Sequence, residues 1–75
     1  PDKIAFAFLD GDYYRSVADP IKLISNRLQN GATVIVDDYA NPALPGAARA
    51  TDEWLKGRSY SLRVEHSLAI IYVKR

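Results

Sequence analysis

The sequence has 75 residues, 48% of them hydrophobic and 25% charged, with a net charge of +1 at pH 7. This composition is typical of an ordinary globular protein, and the length allows one small domain with a marginal core. The lack of cysteine excludes disulfides, thiolate zinc sites and cysteine nucleophiles. Because the basic residues are scattered and no apolar stretch approaches a membrane span, we expect no nucleic-acid or membrane partner and a cytoplasmic location.

Two apolar runs in the first half of the chain predict buried strands. Residues 4–9 read IAFAFL and residues 32–36 read ATVIV. Neither run alternates between apolar and polar residues, a pattern typical of parallel strands that are covered on both faces. We therefore expect two neighbouring parallel strands with helices on either side of the sheet.

The segment between these strands predicts a loop followed by a helix. Residues 10–16 read as the loop, and Asp19 followed by Pro20 is typical of a helix start. The helix would bury residues 21, 24 and 28, which fall at helical spacing. It would end at Asn30 and Gly31, a common pair at helix ends.

The second half predicts a further helix and then a hairpin. Residues 40–46 read as a loop, and apolar residues from Ala47 onward mark one face of a helix that Gly57 ends. Residues 60–65 alternate, residues 68–73 are apolar, and the two residues between them suit a hairpin turn. The predicted fold is α/β in the order β-α-β-α-β-β, a partial Rossmann-like doubly wound sheet with a C-terminal antiparallel hairpin. We expect residues 1–75 to form a single domain that is the later part of a larger fold.

Aspartates follow both of the early strands. Residues 8–14 read FLDGDYY and residues 32–39 read ATVIVDDY, so Asp10, Asp12, Asp37 and Asp38 would meet where parallel strands end. Aspartates in such places often serve only in turns and helix caps, but the repeated pattern favours a shared site. Because carboxylate oxygens are hard ligands, the expected ion is magnesium or calcium, with manganese possible.

Four stretches of the chain resemble the macrocin O-methyltransferase (TylF-like) family of class I S-adenosylmethionine (SAM)-dependent methyltransferases. They read FLDGDYYRS, NGATVIVDDYANP, PGAARATDEWL and LAIIYVKR, and the first two are the more specific. The resemblance implies the C-terminal half of a class I methyltransferase fold. The glycine-rich cofactor loop of that family has no counterpart in this sequence.

The resemblance also implies roles for the four aspartates. Asp10, Asp37 and Asp38 would bind magnesium, and Asp12 would be the general base. The methyl donor would be SAM, and the acceptor would be a small molecule with a hydroxyl group, such as a sugar or natural product. The chemistry suits these residues, because a bound cation lowers the pKa of a hydroxyl group that a carboxylate then deprotonates.

We therefore expect a fragment of a magnesium-dependent O-methyltransferase that is inactive alone. The alternative is a non-enzymatic α/β half-domain that acts as an assembly or interaction module, with the carboxylates as relics. A phosphoryl-transfer domain is a third reading, but its nucleophile-loop motifs and a suitably placed lysine are not evident. The exposed edge of the first strand predicts a homo-oligomer or a swapped dimer.

Overall fold

The computed structural model describes residues 3–10 and 13–74, which form a mixed α/β structure. The elements in chain order are β1 (Ile4–Leu9), α1 (Tyr14–Ile24), β2 (Leu28–Val36), α2 (Pro45–Leu55), β3 (Ser59–Glu65) and β4 (Leu68–Lys74), with a short 3-10 turn at Ser25–Arg27. The sheet has the order β1-β2-β4-β3. Strands β1 and β2 are parallel, and the β2-β4 and β3-β4 pairs are antiparallel.

Both helices pack on one face of the sheet. Alternate residues of β2 and β4 point to this face, and they are buried together with the apolar stripes of α1 and α2. The side chains of the core that these elements share include Val17, Ile21, Val34, Val36, Ala47, Ala50, Ala69 and Ile71. This packing settles which side of each strand faces the helices.

The other face of the sheet, here called the open face, carries apolar side chains without a covering helix among the described residues. Phe6 and Phe8 of β1 are 57% and 52% exposed, and Tyr72 of β4 is 42% exposed. Cross-strand pairing places Phe8 beside Ile35, and Ile35 beside Ile70. The expectation of strands covered on both faces is therefore wrong for this chain, because α1 and α2 lie on the same side.

Helix α1 begins earlier than the sequence predicted. It starts at Tyr14, inside the expected loop, and the predicted start at Pro20 lies within the helix. The helix must run across Pro20 because Val17, Ala18 and Ile21 are buried on both sides of it. Proline leaves the carbonyl of Ser16 without its helical partner, but Ser16 is exposed, so water can reach it.

Strand β2 also begins earlier than predicted. Leu28, expected on the buried face of the first helix, is instead a buried residue at the start of β2, where it pairs with Ile4. The pairing then becomes irregular, because the next matched pair is Phe6 with Thr33. Gly31, with φ of 83°, lies in this irregular segment. The Asn30-Gly31 signal thus marks a bulge-like distortion rather than the end of a helix.

In the second half of the chain, the structure agrees closely with the elements predicted from the sequence. Helix α2 has Pro45 at its first turn and ends just before Gly57, which has φ of 77°. Strands β3 and β4 form the predicted hairpin, and the turn residue His66 has φ of 55°. Among the described residues, neither helix is long or apolar enough to cross a membrane.

Candidate functional site

The ends of β1 and β2 bring three aspartates together. Leu9 and Val36 are partners in the parallel pair, so the residues that follow them, Asp10 and Asp37, leave the sheet side by side. The backbone N–H of Asp37 donates to the carbonyl of Leu9 at 2.9 Å, which extends the pairing to the last position. Carboxylate oxygens of Asp10, Asp37 and Asp38 all lie within 4.8 Å of one another. These three residues are called the acidic cluster below.

The turn at residues 37–40 sets the direction of the carboxylates of Asp37 and Asp38. Asp38 has φ of 60°, a left-handed conformation that aspartate and asparagine adopt more readily than most residues. Its backbone N–H donates to Oδ1 of Asp37 at 2.9 Å, and Nδ2 of Asn41 donates to Oδ1 of Asp38 at 3.4 Å. The Ala40 N–H donates to the carbonyl of Ser67, which ties the turn to the β3-β4 hairpin at 3.1 Å.

The concentration of negative charge in the acidic cluster favours a bound cation. Two like unit charges about 5 Å apart repel by about 3 kcal/mol at an effective dielectric constant of about 20. The salt bridges among the described residues join Arg49 to Glu53 and Arg63 to Glu65, and neither includes Asp37 or Asp38. A divalent ion would convert this repulsion into attraction.

The donor set fits a hard divalent ion. Magnesium and calcium both take carboxylate oxygens as ligands. The carboxylate oxygens of Asp10, Asp37 and Asp38, which lie within 4.8 Å of one another, would hold such an ion after they move closer together. Asp10 is exposed and the other two carboxylates are half-buried, so water can complete the coordination.

Three of the four predicted site residues lie together in the structure. Asp10, Asp37 and Asp38 lie together as the strand pattern predicted. Asp12, the predicted general base, lies outside the described residues.

Arg49 contacts the two helices. It forms an ion pair with Glu53 at 3.6 Å, and its guanidinium lies 5.1 Å from the centre of the Tyr14 ring.

A tyrosine beside the acidic cluster makes a contact that sequence reasoning missed. Tyr39 directly follows Asp38, packs against the core and donates its hydroxyl hydrogen bond to Oδ1 of Asp52 on α2 at 2.6 Å. Burial and this bond raise the pKa of Tyr39 to about 12. The sequence offered no signal for this contact, because residues 39 and 52 belong to elements whose relative position depends on the whole fold.

A second tyrosine makes a similar bond at the next position of α2. The hydroxyl of Tyr14 on α1 donates to Glu53. This hydrogen bond raises the pKa of Tyr14 and lowers that of Glu53, whose carboxylate is further stabilised by Arg49. The bond joins the two helices, whereas the Tyr39 bond joins the turn at residues 37–40 to α2.

A groove of about 170 Å³ lies between the helices, and none of the acidic cluster lines it. Its walls include Tyr14, Lys22, Glu53 and Trp54. Beside it, Nε1 of Trp54 donates to the hydroxyl of Ser25 at 3.2 Å. This bond joins α2 to the 3-10 turn that follows α1 and gives Trp54 a packing role.

One family model and a solved structure match this chain. The family model described as Macrocin-O-methyltransferase (TylF) matches residues 1–68. A solved structure titled "Structure of the O-methyltransferase NovP" matches with a TM-score of 0.83 and 26% sequence identity. The match covers 99% of this chain and 31% of the NovP chain. A search of curated proteins finds no match.

Proposed function

Since this chain belongs to the macrocin-O-methyltransferase (TylF) family, we propose that it is part of a magnesium-dependent O-methyltransferase. The donor is SAM, and the acceptor is a hydroxyl group of a sugar or natural product. The observation that carries the metal-dependent part of this proposal is the convergence of Asp10, Asp37 and Asp38 within 4.8 Å. Carboxylates this close repel one another, and a bound divalent cation would offset that repulsion.

The four aspartates divide two tasks between them in the proposed reaction. Asp10, Asp37 and Asp38 would hold the ion, which when bound orients the acceptor hydroxyl and lowers its pKa. Asp12 accepts the proton of that hydroxyl as the general base. Orientation and proton removal together account for what these residues contribute to methyl transfer. We assign no residue of this chain to the binding of SAM.

The chain corresponds to one part of a longer enzyme. It spans 31% of the NovP chain, and its open face presents apolar residues of the kind that a second helix layer covers in a doubly wound, Rossmann-like sheet. We propose that residues 1–75 are one domain segment of such a fold. The isolated chain is expected to yield no methylated product when it is incubated with SAM and a diol acceptor.

Titration with magnesium tests the proposed metal centre. In the wild-type chain, the amide NMR signals of Asp10, Asp37 and Asp38 should shift at millimolar magnesium. Asp37→Asn should weaken the affinity by about tenfold or more, because it removes a charged ligand. Asp19→Asn is the matched control, since Asp19 is an exposed acid on α1 outside the acidic cluster, and it should leave the affinity unchanged.

The same titration distinguishes a metal-dependent enzyme from a non-enzymatic assembly module. If the wild-type chain does not respond to magnesium, the metal-dependent enzyme is contradicted and a non-enzymatic assembly module is the better reading. If Asp19→Asn weakens binding as much as Asp37→Asn does, the ion is held by diffuse charge and not by the acidic cluster. Only a selective loss supports the proposed centre.

We also propose that the isolated chain associates with a second copy through β1. This strand lies at one edge of the sheet, and its residues IAFAFL carry no charge. The opposite edge strand, β3, carries Arg63 and Glu65, which discourage pairing with another strand. The exposed side chains of Phe6 and Phe8 next to the free edge favour burial against the same strand of a partner.

A further inference from the structure

Among the described residues, most hydrogen bonds of the turn at residues 37–40 are local or reach the strands and their hairpin. They join Asp38 to Asp37, Asn41 to Asp38, Asp37 to Leu9 and Ala40 to Ser67. None of these contacts reaches the helix layer. The bond from the Tyr39 hydroxyl to Asp52 does, at 2.6 Å.

Tyr39 is well placed to influence the acidic cluster. It adjoins Asp38, whose left-handed φ of 60° contributes to the direction in which the Asp38 side chain leaves the turn. Its ring is half-buried against the core, so the side chain has few alternative positions. Its hydroxyl is held at the far end by a carboxylate of α2, a helix whose other face is buried in the core.

We propose that Tyr39 is a positioning residue whose hydrogen bond to Asp52 holds the turn so that the carboxylates of Asp37 and Asp38 face Asp10. This inference rests on the proposed function and extends it to two residues that do not touch the metal. Residues that orient metal ligands from behind commonly change metal affinity by about 10-fold to 100-fold when they are mutated.

The chain contains a matched control for this proposal. Tyr14 donates the same kind of hydroxyl hydrogen bond to Glu53, the neighbour of Asp52 on α2, but it connects α1 rather than the turn. Tyr14→Phe and Tyr39→Phe therefore each remove one hydroxyl-to-carboxylate bond to the same helix. Only Tyr39→Phe should alter the acidic cluster.

Magnesium affinity, measured by calorimetry on the full chain, is the first readout. Tyr39→Phe and Asp52→Ala should each weaken binding by about tenfold, whereas Tyr14→Phe should leave it unchanged. Asp52→Asn should largely restore the affinity, because its amide oxygen can still accept the hydrogen bond from Tyr39. Equal weakening by Tyr14→Phe and Tyr39→Phe, or no effect of Tyr39→Phe, would overturn the positioning role.

Hydrogen exchange in the metal-free chain is the second readout and does not depend on the proposed function. Tyr39→Phe should speed exchange at the amides of Asp38 and Asn41, while Tyr14→Phe should not. If the wild-type chain binds no magnesium, the proposed function fails and hydrogen exchange still decides whether Tyr39 holds the turn. If magnesium binds but Tyr39→Phe changes neither the magnesium affinity nor the hydrogen exchange, the positioning role alone fails.

Discussion

At the scale of single residues, the acidic cluster depends on strand register. Asp10 and Asp37 are neighbours because Leu9 pairs with Val36, and the Asp37 N–H continues this pairing to the Leu9 carbonyl. A slip of one residue would reverse the face of every side chain in the shifted strand. The buried side chains of Leu9 and Val36 therefore help to hold the carboxylates together, although neither takes part in the chemistry.

The bond between Tyr14 and Glu53 predicts a pH-dependent contribution to stability. The bond lowers the pKa of Glu53 below its ordinary value of 4.5. A lowered carboxyl pKa stabilises the folded state above that ordinary value, and the contribution is lost as the pH falls through the folded-state pKa. Tyr14→Phe should therefore be less stable than wild type at neutral pH, and the difference should narrow as the solution becomes acidic.

Urea denaturation at a series of pH values measures this difference. Tyr13→Phe is the control, because Tyr13 is 72% exposed and its hydroxyl should contribute little at any pH. A difference that stays constant across the acidic range would show that the Tyr14 hydroxyl contributes independently of the charge on Glu53, and no difference at any pH would show that the tyrosine stabilises the fold by packing alone.

At the scale of elements, the contact between α1 and α2 depends on a glycine. A Cβ atom at Gly46 would lie 2.5 Å from the backbone nitrogen of Tyr14. Backbone atoms cannot rotate away as a side chain can, so the two helix starts would have to separate. Gly46→Ala should therefore destabilise the protein by about 1–3 kcal/mol, although alanine is the better helix former.

The sign of the change in unfolding free energy on Gly46→Ala shows whether close packing or helix propensity has the larger effect at this position. Pro45→Ala alters the adjacent exposed position of the same helix, and its effect should be about 0.5 kcal/mol or less. Urea denaturation measures both variants. A more stable Gly46→Ala protein would mean that the helix starts are further apart than the structure shows.

At the scale of the whole molecule, the uneven distribution of charge on the sheet edges predicts self-association through β1. Phe8→Lys places a charge on the apolar edge strand and should shift the chain toward the monomer. Val64→Lys makes the same change on β3, where Val64 is 44% exposed, and it should leave association unchanged. Sedimentation over a range of concentrations measures both, and a wild-type chain that stays monomeric at high concentration would contradict the proposed dimer.

Local pattern is enough to specify much of this molecule. The apolar runs of β1 and β2, the two-residue turn at His66 and the helix that follows Pro45 all agree with their local signals. The aspartates after the strands could be identified for the same reason, because strand ends are marked in the sequence and parallel strands end on one side of a sheet.

Tertiary packing overrides the local pattern at the remaining positions. A helix cap contributes about 1 kcal/mol, whereas full burial of an apolar side chain contributes about 1.5–3 kcal/mol. Burial of Val17 and Leu28 therefore outweighs the signals at Asp19 and Asn30, so α1 and β2 both begin earlier than those signals indicate. The open face and the bond between Tyr39 and Asp52 depend in the same way on how the layers pack, because each involves residues that are distant in sequence and meet only in the folded chain.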